Sequence, residues 1–568
     1  LSFNGEIYNF HLLRKRLEAE QTDFRGHSDT EVFLNLCVKL GVKEACNLAN
    51  GMFAFALWDR SRKELSLGRD RFGQKPLYYG LEAGNLFFAS ELKAFGAIPG
   101  FAPAISPTAR SLYFRHGYIP APLSIYENIH KVMPGSIIRV QANSIIEQQQ
   151  KIYWSATKAA EISMKNPLGT DSDENQKKLE DALTNSVRHC MVSDVPIGCF
   201  LSGGIDSSLV ATLMQSQTSE KIRTFSIGFA EGEYDESTKA ASVAARLNTN
   251  HTMVRVTARD AINTIPVMPT VFDEPFADAS QIPTYILSQL TRHSVKVALS
   301  GDGGDELFCG YSRYLWAGKI AKLLNCPLAL RKIFSFGLMQ VPPQFLNHLN
   351  NIIRLSGGQL GDKVHKVAAV IGESNISNAY LRLISFWNEA QAFELSPPLS
   401  PILESFDNLT QFDLYHRMML TDTLHYLPDD ILVKVDRASM ASSLETRIPL
   451  LDHNLFELAW RLGLSEKLNQ SRGKFAIRKI LNKWIGPDLT NQPKMGFSLP
   501  IDKWLRNELR EWAEALIEPK LLRDNQIDPA IVHHVWSEHL SGKRNWQHKI
   551  WSILMYQMWA NTRIGQSF

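Results

Sequence analysis

Several features that would settle a protein's class at once are missing from this chain. Its six cysteines, Cys37, Cys46, Cys190, Cys199, Cys309 and Cys326, are scattered and never stand as Cys-x-x-Cys. That argues against a disulfide framework or a zinc knuckle, and for a reducing, cytoplasmic setting. No apolar run approaches the length a membrane helix needs. Charge of one sign is scarce: 61 basic and 58 acidic residues leave a net +3, which gives no case for a nucleic acid or another polyanion as partner. There is no internal repeat and no low-complexity tract. An initial methionine and a signal peptide are also lacking. Leu1-Ser2-Phe3 reads as the end of a strand running into Asn4-Gly5, a turn signal, so a further segment is expected upstream.

What is present is ordinary in bulk. The 568 residues, 44% apolar and 21% charged, suffice for several domains with large cores. Residues 1 to about 155 are rich in short strands. Residues 51–58 and 64–67 flank a turn at Asp59-Arg60-Ser61, residues 76–79 and 85–89 form a second pair, and helical patterns cover 10–18 and 29–40. This is the pattern of a layered α+β domain. Residues 156–178 are polar and read as a linker. From 179 onward buried strands (222–229, 295–299) alternate with helices (236–247, 282–290), predicting a parallel, doubly wound sheet. From about 312 the pattern is mainly helical.

The most telling stretch is Ser202-Gly203-Gly204-Ile205-Asp206-Ser207-Ser208, set between an apolar run (195–201) and an apolar-periodic one (209–214). It reads as strand, tight turn and helix. Glycines let backbone approach a ligand, and the amides and dipole at a helix start favour anions. Ser202, Ser207 and Ser208 add hydroxyls. The Gly-Lys-Ser/Thr ending of a Walker loop is absent. A second motif, Ser300-Gly301-Asp302-Gly303-Gly304-Asp305-Glu306, follows the run 295–299 and so sits at another strand's carboxyl end, where parallel sheets bind ligands. Either motif alone is an ordinary Gly/Asp turn. Together they bring Asp206, Asp302, Asp305 and Glu306 to one sheet edge, where unpaired carboxylates repel and a bound Mg²⁺ would bridge them to phosphate oxygens.

Further blocks join these. Phe3-Asn-Gly-Glu-Ile-Tyr-Asn9 and Ser28-Asp-Thr-Glu-Val32 lie near the start. Lys434-Val-Asp-Arg-Ala-Ser-Met-Ala441, Leu444-Glu-Thr-Arg-Ile-Pro-Leu-Leu-Asp452, Ser471-Arg-Gly-Lys-Phe-Ala-Ile-Arg478 and Lys494-Met-Gly-Phe-Ser-Leu-Pro500 follow in order. With the Ser-Gly-Gly-Ile-Asp-Ser loop, the set resembles the glutamine-dependent asparagine synthetases of the bacterial class-B type over nearly the whole chain.

The resemblance implies an N-terminal nucleophile (Ntn) glutaminase domain over 1–155, a linker over 156–178, and an α/β ATP-pyrophosphatase domain, adenine nucleotide α hydrolase-like, with a helical C-terminal region over 179–568. It implies a glutaminase whose nucleophilic cysteine lies before residue 1; Cys37 and Cys46 do not replace it. Asn4 and Gly5 match the oxyanion-hole segment, a suitable donor pair for a tetrahedral oxyanion. Asn4, Gly5, Glu6 and Asp29 match the glutamine-binding positions. Leu201, Ser202, Gly203, Gly204, Asp206, Ser207, Ile227, Ser300 and Gly301 match ATP-binding positions, and Asp206 and Asp305 the Mg²⁺ ligands. Lys474 matches a catalytic lysine; without the family it would read as a solvated helix lysine. Lys434, Arg437, Glu445 and Arg447 are as well explained by salt bridges as by catalysis.

The implied chemistry is amidation of aspartate through an acyl-adenylate, with ATP consumed to AMP and pyrophosphate and ammonia drawn from glutamine. Asp302 stands where well-known asparagine synthetases have Glu, and that keeps a uronic acid or another carboxylate of surface polysaccharides open as acceptor. A β-lactam-synthetase-like cyclase and a non-catalytic nucleotide-binding regulator are the rivals of other classes. Partners are therefore small molecules (glutamine, ATP and aspartate or another carboxylate), with no nucleic acid, no membrane, and a homodimer left open.

Overall fold

The computed structural model describes residues 1–565 apart from 83, 143, 170, 230–234, 347–359, 389–392, 394–399, 470–471 and 492–498. Of the motif 494–500, residues 494–498 lie outside the described residues, as does Ser471.

The first part holds two antiparallel sheets. One runs in the order β1 (Ser2–Ile7), β2 (Gly51–Asp59), β3 (Glu64–Arg69), β7 (Ser136–Gln141), β8 (Ser144–Ile152). The other places β4 (Tyr78–Glu82) between β5 (Asn85–Ala89) and β6 (Ile129–Lys131). The alternation in residues 51–59 sends Phe53 and Phe55 to one face, where they meet Phe33 at ring distances of 5.6 and 5.1 Å. Phe33 comes from the helix Asp29–Leu40, which buries Val32, Phe33, Leu36 and Cys37 on one face. That helix starts cleanly because the Ser28 hydroxyl accepts the Glu31 amide at 3.2 Å.

Asn4-Gly5 is not a turn. Both residues lie inside β1, where Asn4 pairs Ala54 and Gly5 pairs Phe53. Gly5 is required there by close approach: a Cβ would run into the Met52 carbonyl oxygen and lie 2.6 Å from the Phe53 Cα. The two residues thus serve a close strand pairing rather than a reversal.

The second part is built on a five-stranded parallel sheet in the order β11 (Asn250–Val256), β10 (Arg223–Phe229), β9 (Ile197–Phe200), β12 (Val297–Leu299), β13 (Glu445–Arg447). In chain order that is 3-2-1-4-5, so the order reverses between β9 and β12, which are paired from Val297↔Ile197 to Leu299↔Cys199. The expected helices are present at Ser237–Leu247 and Gln281–Arg292. From Ser312 on the described chain is helical but for a few short pieces, among them β13, which reaches back to form the sheet's edge.

The segment 156–178 is not an open tether. It carries a helix, Ala156–Lys165, that buries Ala156, Ala159 and Ala160, and it enters the next, Ser172–Cys190. Polar composition there marks the solvent faces of packed helices. One hydrophobic core then runs from Tyr8, Met52 and Phe72 of the first part to Phe456 and Trp460 of the second.

Candidate active site

The two glycine motifs leave the sheet side by side because β9 and β12 are neighbours, and this is the switch point where doubly wound sheets bind ligands. They interlock: a Cβ on Gly301 would lie 2.6 Å from the Ser207 amide nitrogen and 2.8 Å from the Asp206 carbonyl carbon. Within the first loop the Ser202 and Ser207 hydroxyls bond each other at 2.9 Å, and the Gly204 amide donates to Ser202 Oγ at 3.2 Å. The helix Ile205–Gln215 follows with Gly204 at its cap and no side chain on its first amides. In the second loop Ser300 donates its amide to the Arg447 carbonyl at 2.9 Å and its hydroxyl to Asp302 Oδ2 at 2.5 Å.

Both loops open on a cavity of about 1820 Å³. Its wall includes Leu201, Ser202, Gly203, Gly204, Asp206 and Ser207, and also Ile227, Ser300, Gly301, Asp302 and Asp305. All of the expected nucleotide positions therefore meet. Ser208 does not: it is buried on the core side of its helix.

Lys474 comes to this point from far along the chain. It caps the helix Phe475–Ile485 in left-handed backbone (φ 62°) and donates its amide to the Phe308 carbonyl at 2.8 Å. Its ammonium is buried, pairs with Asp305 at 2.8 Å and contacts Asp206. Burial pulls its pKa down, but the two carboxylates outweigh burial and hold it above the lysine range. A second lysine, Lys434, pairs with Asp278 at 2.8 Å and faces Asp302 and Asp430. Burial raises Asp302 and Lys434 draws it down. Glu306, fully buried, is pushed up to about 7 by burial and by Asp305.

The repulsion expected among four carboxylates is thus already opposed by two lysines, which a reading of the motifs alone had assigned to Mg²⁺. The donor set still suits that ion. Asp206 and Asp305 are hard oxygen donors beside the loop amides, and Mg²⁺ takes one or two carboxylates and completes its shell with phosphate oxygens and water. Among the described residues no group of three or more His, Cys, Asp or Glu side chains meets as a metal cage.

Three of the four ambiguous charges are structural. Arg437 donates to the Ser90 carbonyl at 2.7 Å and faces Glu91, across the boundary between the two parts. Arg447 pairs with Glu445 at 2.6 Å and with Glu6 at 3.4 Å. Lys434 alone faces the cavity.

The first part places its own candidates around β1. Asn4 donates from Nδ2 to Ser90 Oγ at 3.1 Å. Asp29 accepts the Ile7 amide at 2.8 Å and the Thr30 amide at 2.6 Å. Glu6, half-buried, is pushed up to about 7 by burial against the pull of Arg447. Cys37 and Cys46 are buried; burial pushes the Cys37 thiol up to about 12 and Cys46 well above its usual value.

Motif reading missed Asp278, Asp430, Tyr311 and Arg313, all of which line the cavity. One signal was available: the acid pair Asp429-Asp430 inside an apolar stretch. Asp429 turns away to accept the Ala121 amide at 2.8 Å, leaving Asp430 to the cavity.

The family model for asparagine synthase matches residues 178–561, and that for a glutamine amidotransferase domain matches residues 1–154. Asparagine synthetase (glutamine-hydrolyzing) 1 of Bacillus subtilis is 30% identical over 566 residues, covering 100% of this chain and 86% of its own. A putative asparagine synthetase (glutamine-hydrolyzing) of Mycobacterium bovis is 31% identical, covering 98% of this chain and 84% of its own. Among solved structures, a glutamine phosphoribosylpyrophosphate amidotransferase from B. subtilis matches 44% of each chain at 14% identity and TM-score 0.21, too slight a likeness to bear on the fold.

Proposed function

The chain belongs to the asparagine synthase family, and on that premise we propose that it amidates the side-chain carboxylate of L-aspartate, using ATP for activation and glutamine as the source of nitrogen. The relatives are named for asparagine and not for the sugar acid that Asp302 had kept open. We assign residues 1–155 to an Ntn-type glutaminase domain and 179–568 to an ATP-pyrophosphatase domain with a helical C-terminal region, joined through 156–178. The parallel sheet with its ligand loops at the switch point supports the second assignment.

In this reading the loops 202–207 and 300–305 cradle the triphosphate with backbone amides. The acceptor carboxylate attacks the α-phosphate; the bond to the β-phosphate breaks, and pyrophosphate leaves. Ammonia then attacks the acyl carbon of the adenylate and AMP leaves. Lys474 stands where negative charge builds in both steps, and a preorganised cation in a site screened from water stabilises that charge strongly. Asp206 and Asp305 would hold Mg²⁺, which would neutralise phosphate charge. Asp302, tied down by Ser300, lines the acceptor side. In the first domain the Asn4 amide and the Gly5 backbone would stabilise the oxyanion from glutamine, with Glu6 and Asp29 set to receive its α-amino group.

The observation that carries the reading is Lys474 clamped between an aspartate of each glycine loop. The test is pyrophosphate release with ATP, Mg²⁺, ammonium chloride and L-aspartate, which needs no glutaminase step. Asparagine should form in step with pyrophosphate. Lys474→Met and Asp206→Ala should each lower kcat by about a hundredfold or more. Undiminished release in both variants would remove the site assignment.

A further inference from the structure

If aspartate presents its side-chain carboxylate to Asp302 and Lys474, the rest of the molecule must be held by the cavity's other wall. That wall is built by the helices Ser312–Leu324 and Leu360–Ile371 and by a π-helical stretch, Asp422–Ile431. Its charged residues at the cavity are Arg313, Asp362, Lys363, Lys366, Asp422 and Asp430.

Arg313 is fixed rigidly. Its Nε donates to Asp422 Oδ2 at 2.9 Å, and its guanidinium lies 4.0 Å over the Tyr311 ring and 5.0 Å over that of Tyr426. Asp422 also accepts the Tyr314 hydroxyl at 2.5 Å and the Tyr380 hydroxyl at 2.7 Å. One carboxylate therefore serves one cation, with its oxygens filled. Tyr311, under Arg313, donates to Glu306 Oε1 at 2.6 Å. Arg313 thus stands one side chain away from the loop that holds Asp302 and Asp305.

Lys366 is exposed, but into the cavity. Among the described residues it makes no ion pair, and burial and Arg313 both lower its pKa. The acids nearby are engaged elsewhere. Asp362, on the same helix, pairs with Arg544 at 3.1 Å. Asp430 and Asp278 hydrogen-bond each other and share Lys434. His548 is pushed down to about 4 by burial and by Lys366, so it adds no charge near neutrality. Arg313 and Lys366 thus repel each other across this wall while Asp422 is paired with Arg313, an arrangement that an anion relieves.

We propose that Arg313 and Lys366 form the subsite for the second carboxylate of the acceptor, the α-carboxylate of aspartate, and so turn its side chain toward Asp302 and Lys474. A fixed guanidinium fork suits a planar carboxylate, and an ammonium adds a second charged donor to it. The proposal rests on the functional reading above, in that it takes aspartate as the acceptor.

The test compares L-aspartate with its α-amide, which keeps the reacting carboxylate and loses the other. Pyrophosphate release is followed with ATP, Mg²⁺ and ammonium chloride on the full chain and on Lys366→Met and Arg313→Lys. Lys366→Met should raise KM for aspartate about tenfold, the loss expected of one charged hydrogen bond, while KM for ATP and for the α-amide stays unchanged. Arg313→Lys, which keeps a cation and loses the fork, should move KM for aspartate in the same direction. An equal rise for both acceptors, a rise for ATP instead, or no change in Lys366→Met overturns the subsite. Calorimetric titration with L-aspartate separates this from failure of the functional reading. If the full chain releases no pyrophosphate, aspartate binding that weakens about tenfold in Lys366→Met still upholds the subsite. Absence of binding to the full chain overturns it.

Discussion

Glu6 is held by opposed forces, burial pushing its carboxyl up and Arg447 pulling it down, with burial ahead and the balance at about 7. A carboxyl raised by the fold is one whose ionisation the fold resists. Its contribution to stability is full below the ordinary carboxylate range and is lost as pH rises through 7. Carbon-13 NMR of Glu6 should show a midpoint near 7, and Arg447→Gln should move it higher because the chief lowering charge is gone. A midpoint near 4.5 would show that the pocket is wetter than its packing implies. Lys474 teaches the complementary lesson. Its neighbours in sequence describe a solvated helix lysine. What draws it into the cavity is the arrival of Asp206 and Asp305 from two loops more than a hundred residues away in the chain. No local pattern encodes that, and only the resemblance pointed to it.

Among the elements, the turn after β12 has little freedom. Gly301 sits with its missing Cβ against backbone atoms of the neighbouring loop, and backbone cannot swing aside as a side chain can. Gly301→Ala should therefore push the two loops apart. Overpacking of this kind typically costs about 1–3 kcal/mol, so KM for ATP should rise about tenfold while the far-ultraviolet circular dichroism stays unchanged; an unaltered KM would mean that the loops move independently. These loops were legible in the sequence because a strand, glycines and a helix start follow one another within a dozen residues. β13 was not. It is three residues long, Glu445–Arg447, and its pairing with β12 is its reason for being a strand. Asn4-Gly5 misled for a related reason: the dipeptide is a good turn by local preference, yet pairing with β2 keeps it extended.

At the scale of the whole molecule, the boundary between the two domains is held by buried charge. Lys131 of β6 pairs with Glu274 at 2.7 Å with both side chains nearly sealed from solvent, and it also donates to the Ile119 carbonyl at 2.6 Å. Lys75 pairs with Asp436 at 2.9 Å in the same boundary. Removing one member of such a pair leaves a buried charge uncompensated. Lys131→Met should lower apparent stability in urea by about 3 kcal/mol, and adding Glu274→Leu should recover most of it. A loss of a few tenths of a kcal/mol in the single variant would place the pair in solvent.

The sequence by itself determined the two-part organisation, the strands and helices that carry strong periodicity, and both glycine loops, because those features depend on neighbours within a dozen residues. The tertiary structure decided which charges meet at the cavity and which brace the boundary. It set Arg437 and Arg447 across the domain boundary, clamped Lys474 between two aspartates, and turned Arg313 and Lys366 onto one cavity wall. Each of those outcomes depends on side chains that meet only when distant segments pack, and burial is what gives such meetings their energy.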